Sequence, residues 1–181
     1  MSVKPSQKKI LSLVGHLIIQ WLLAGMQSAL WPSVLGTPTI PLIALTSIVY
    51  FSIYRSAVRS TVYIYCLSFL LASFSWLPWG LVAGPLLIVS FTTQFLRRRL
   101  FWNRLNYFLL ICSLAMPFYV LSLWGISTLI EVNGIERVSL LRMILESVLI
   151  LPLGVALYPL YRFVDELFDQ PEINESEVTL W

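Results

Sequence analysis

Charge is what this sequence has least of. Only 12% of its 181 residues are Asp, Glu, Lys or Arg, and the net charge is +3. A soluble domain carries about 25% charged residues. A nucleic-acid binder needs a basic face on a folded soluble surface, and no stretch supplies one. Histidine occurs once, as His16, which excludes a two-histidine metal site such as the metalloprotease pair. The two cysteines, Cys66 and Cys112, fall inside apolar runs. They read as small packing residues, not as a disulfide or a ligand pair. There is no Gly-rich phosphate loop and no acidic cluster within the apolar stretches for a divalent metal. Gly125-Ile126-Ser127 is too short a signal for a serine nucleophile, since the single histidine lies near the opposite end of another span and a base must be within hydrogen-bond reach. The sequence therefore reads as a non-enzyme with no cofactor.

What is present is apolar. Hydrophobic residues make up 58% of the chain and the mean hydropathy is +0.82. They come in long runs without helical or alternating polarity, the pattern of lipid-facing segments. The spacing predicts an all-α, polytopic helical bundle of six transmembrane helices, over 10–30, 39–54, 60–77, 81–96, 105–130 and 138–163. Residues 1–164 form that domain, and 165–181 form an acidic tail, predicted to be disordered. Trp31-Pro32 with Gly36-Thr37-Pro38, and Trp76 to Gly80, make uncharged turns. Glu131 to Arg137 is the most polar connection, with Asn133-Gly134 as its turn. Pro117, Pro152 and Pro159 fall inside spans, where neighbouring helices satisfy the freed carbonyls. Lys4, Lys8 and Lys9 precede a run long enough to cross and lacking a small-x-small cleavage site, so no cleavable signal peptide is expected.

Loop charge sets the orientation. The stretch from Gln94 to Arg104 holds Arg97, Arg98, Arg99 and Arg104, four of the twelve basic residues. Basic loops are retained on the cytoplasmic side. With that loop inside, the Lys4/Lys8/Lys9, Arg55/Arg59 and Arg162 segments also fall inside, and only Arg137 and Arg142 lie outward. Both termini are therefore expected in the cytoplasm.

Polar residues within spans are costly and so are informative. His16, Gln20 and Gln27 lie within about 40° of one another at about 100° per residue, one stripe facing the bundle. They are candidate helix-packing or partner contacts, through hydrogen bonds worth about 0.6 to 2 kcal/mol each; a proton relay or ligand contact is the alternative. Ala24-x-x-x-Ser28 and Gly25-x-x-x-Ala29 allow close helix approach. Arg142 and Glu146, one turn apart, are further candidates. Glu146 either pairs with Arg142, bonds Gln20 or Gln27, or contacts a partner or ligand.

The size, the six spans and two stretches resemble the rod shape-determining protein MreD family of bacteria. One stretch is Gly80-Leu-Val-Ala-Gly-Pro-Leu-Leu-Ile-Val-Ser-Phe-Thr-Thr-Gln-Phe-Leu-Arg-Arg-Arg-Leu-Phe; the other is Leu151-Pro-Leu-Gly-Val-Ala-Leu-Tyr-Pro-Leu-Tyr-Arg-Phe. The resemblance spans 15–168. It departs in the segment Ser73 to Gly80, which keeps Pro78-x-Gly80 but has no acid. The resemblance implies a non-enzymatic, multi-pass scaffold of the bacterial inner membrane, within the cell-elongation machinery of peptidoglycan synthesis. It would bind MreC through helix faces, with MreB, RodA and a penicillin-binding transpeptidase in a wider complex. The Arg loop would lie against anionic lipid or cytoplasmic partners. Six spans of this length are also similar to a substrate-capture subunit of an energy-coupling-factor vitamin transporter, which requires convergent polar groups in an outward pocket.

Overall fold

The computed structural model describes residues 5–35, 42–75, 77–97, 104–130 and 140–168. They form six helices: α1 (Pro5–Leu35), α2 (Leu42–Tyr54), α3 (Ala57–Ala72), α4 (Trp79–Arg97), α5 (Arg104–Leu129) and α6 (Leu140–Leu167). Four of these, α1, α4, α5 and α6, are long and apolar enough to cross a membrane, while α2 and α3 are apolar but shorter. The chain is thus a multi-pass membrane protein. At about 1.5 Å per residue, the 13 residues of α2 cover only about 20 Å, short of a hydrocarbon core of about 30 Å.

The arrangement explains how so short a helix is tolerated. Helix α2 packs against all five others, and these close a ring around it in the order α1, α3, α4, α5, α6 and back to α1. Every residue from 43 to 53 is buried. The ends of α2 therefore stop inside protein and need not reach the membrane surface. The ring helices instead bury one side and leave large apolar residues outward, among them Ile18, Trp21, Phe69, Phe91, Leu121 and Val148.

Small residues let the ring close. A Cβ on Gly154 of α6 would come within 3.0 Å of Leu109 on α5, and one on Gly84 of α4 within 2.7 Å of Ile126 on α5. Where α2, α3 and α4 meet, Ser52, Ser60 and Ser90 point their hydroxyls at one another, at 2.7 to 3.2 Å, and Gln94 donates to Ser90 at 3.1 Å. Three hydroxyls can donate in a circle, so each of these three serines is satisfied. Next to them the rings of Phe51 and Tyr63 lie parallel with centroids 3.8 Å apart.

Several boundaries differ from expectation. Helix α1 begins at Pro5 and runs through Trp31-Pro32 to Leu35. Proline at a helix start loses no bond, and near a helix end it removes one. Of the expected turn there, 36–38 lies outside the described residues, as does the 131–137 connection. The α3–α4 turn is fastened by the Trp79 indole N–H, which donates to Ser68 Oγ at 3.0 Å, and by Tyr65 packed edge-on to Trp79. At the other end of the chain α6 continues through Asp165 to Leu167, so the helical domain reaches beyond residue 164. The rest of the acidic tail, 169–181, lies outside the described residues.

Candidate functional site

The most polar place in the bundle is where the C-terminal ends of α2 and α6 meet the early turns of α1. Asp165 sits there, only 7% exposed. Tyr50 donates its hydroxyl to Asp165 Oδ2 at 2.6 Å and Ser12 donates to Oδ1 at 3.2 Å. Arg55 forms an ion pair with the same Oδ1, and His16 Nε2 lies 3.7 Å from it. The first two helices and the last thus meet at one carboxylate.

Local structure puts each group in place. Tyr161 and Asp165 are one turn apart on α6, so both face inward. Ser12 and His16 repeat that spacing on α1. Arg55 directly follows the last residue of α2, its N–H bonded to the Phe51 carbonyl at 3.0 Å, where a cation is favoured by the helix dipole. A helix end leaves carbonyls unsatisfied. One of them, that of Arg55, accepts a hydrogen bond from Arg97 Nη1 of α4 at 3.2 Å. The basic end of α4 is thereby tied to the same knot. A buried ion pair of this kind is strongly destabilising to break, by about 3 to 5 kcal/mol, because the partner is left buried and charged.

The polar stripe of α1 lies inside the bundle as a whole: His16, Gln20 and Gln27 are 1%, 0% and 6% exposed. Gln20 Oε1 accepts from the Tyr161 hydroxyl at 3.5 Å, and that hydroxyl lies 3.0 Å from Thr46 Oγ1. Gln27 Oε1 accepts the Ile43 N–H at 3.3 Å, satisfying one of the first N–H groups of α2. The stripe therefore ties α1 to α6 and α2.

Glu146 is also buried, at 3%. It stands 19 residues before Asp165 on α6, about 28 Å by helix rise, so it does not join the His16 group. Arg142 belongs to the first turn of α6, with its side chain outside the described residues. Of the basic loop, Arg97 is described and half-buried, Arg98 and Arg99 lie outside the described residues, and Arg104 opens α5 with its side chain outside them.

Sequence reasoning missed four of the knot's five members, Ser12 among them. Asp165 was grouped with the acids that follow it and Arg55 with loop charges, while Tyr50 carried no signal at all. The spacing of Asp165 one turn after Tyr161 was the available clue. Chemically the knot offers the hydroxyls of Ser12 and Tyr50, a carboxylate, a guanidinium and an imidazole. Among the described residues no group of three His, Cys, Asp or Glu could hold a metal ion. Compared with family models, with curated proteins and with solved structures, the chain matches none.

Proposed function

We propose that this chain is a non-enzymatic scaffold of the bacterial inner membrane, acting in the cell-elongation machinery in the manner of the MreD family. Its outward helix faces bind MreC, and through the assembly MreB, RodA and a penicillin-binding transpeptidase. The observation that carries the reading is the distribution of side chains. Polar groups are turned into the centre and bonded to one another, while the ring presents apolar faces outward. In lipid, such faces associate by close packing and lipid entropy, with no need for a pocket. The dent between α4 and α5, lined by Val89, Thr93, Leu96, Ile111 and Ala115, has a volume of about 10 Å³, far below the roughly 300 Å³ at which ligand sites begin.

Orientation follows the charge. Lys8, Lys9, Arg55, Arg59, Arg97 and Arg162 gather toward one end of the bundle, which the positive-inside rule assigns to the cytoplasm. Each such residue near an anionic leaflet contributes about 1 kcal/mol of attraction.

Affinity purification of the tagged full chain from mild detergent tests the role. Recovery of MreC in constant proportion is the expected result. Recovery of a bound vitamin and no MreC would point to the transporter subunit and end the scaffold reading.

A further inference from the structure

The hydrogen bonds of His16 fix its proton. Nδ1 lies 2.8 Å from the Ser12 carbonyl oxygen, which can only accept, so Nδ1 carries a hydrogen. In the neutral ring Nε2 is then a lone pair, and it has no hydrogen-bond partner although it is buried. It faces Asp165 Oδ1, another acceptor, at 3.7 Å. Two acceptors turned toward each other repel, and one proton between them becomes a charge-assisted bond. That same oxygen is the one Arg55 holds.

We propose that this knot is a buried proton-binding site, in which a proton on His16 and the guanidinium of Arg55 compete for Asp165 Oδ1. Hydronium from the solvent at the Arg-bearing end gives up the proton: its O–H bond breaks as the Nε2–H bond forms, a water molecule is released, and the positive charge passes to the knot. Two cations then share one carboxylate in a buried place, and the hold of Arg55 on α6 weakens. The groups around the imidazole are few. On α1 it has Ser12; from α2 it has Tyr50, stacked at 6.1 Å, and Arg55. From α6 it has Tyr161 and Asp165, and α3 supplies Tyr63 behind Phe51. Of these, Asp165 and Arg55 are the charged ones. The site therefore senses protons at the point where α6 is fastened to α1 and α2. It stands independently of the scaffold reading.

The chain has a single histidine, so nitrogen NMR of the full chain labelled with 15N-histidine reads His16 without assignment. In detergent, as the pH is lowered from neutral while the chain stays folded, the ring signals are expected to pass from the neutral to the cationic pattern. Asp165→Asn should weaken proton binding tenfold or more, and Arg55→Gln should strengthen it. The wild-type chain gives a second reading that needs no folded Asp165 or Arg55 variant. Its resistance to unfolding, followed by tryptophan fluorescence, should fall as pH drops through the imidazole transition, and His16→Gln should abolish that fall. A ring that stays neutral throughout, a ring whose proton affinity ignores Asp165, or a wild-type stability flat across the transition would each overturn the proposal.

Discussion

At the scale of single residues, the cost of a change depends on what it leaves behind. Asp165→Ala leaves Arg55 buried without its carboxylate, and a loss of about 3 to 5 kcal/mol is expected. Arg55→Ala should cost a similar amount, because Asp165 keeps its neutral donors and loses its counter-charge. The double variant should lose less than the two single losses added together, with a coupling of about 0.5 to 3 kcal/mol. Reversible unfolding in mixed detergent measures all three. Ser12→Ala removes one neutral donor among several and should cost only about 1 kcal/mol. Equal losses for Ser12→Ala and Asp165→Ala would mean that charge is not what fastens this end.

At the scale of helices, the small-residue contacts make the opposite prediction, that additions hurt more than removals. Ser90→Leu forces a branched side chain into the meeting point of α2, α3 and α4, and overpacking of this kind costs about 1 to 3 kcal/mol. Ser90→Ala should cost less, since Ser52 and Ser60 still bond each other at 3.2 Å. Gly154→Val should likewise separate α5 from α6, detectable as a lower unfolding midpoint in detergent. How much of this was legible follows from what hydropathy can encode. The apolar runs placed all six helices, because length and apolarity mark a helix whatever covers it. They did not reveal that α2 is the hub, since a side chain facing protein and one facing lipid are equally apolar. The polar stripe of His16, Gln20 and Gln27 was legible, as three polar groups on one face of an apolar helix can hardly turn to lipid. Asp165 was not, because its neighbours in sequence are acids and its partners come from α1 and α2.

At the scale of the whole molecule, the ring closes only between its first and last members. Helices α1 and α6 meet, and Ser12, His16 and Asp165 lie on that seam. The prediction is that a chain ending before residue 140 keeps α1 to α5 but loses the wall that covers Tyr50 and Thr46. Pulse-chase labelling should show it degraded far faster than the full chain, and co-expression of 140–181 as a separate piece should restore part of its lifetime. The enclosed position of α2 also bears on how the protein is made. A helix of 13 residues is a poor match to the bilayer when it leaves the translocon, and its eventual companions have not yet been synthesised. During biogenesis it must therefore lean on α1 or on an insertase until the final segment arrives, so the birth of this protein is the period in which quality-control proteases can best reach it.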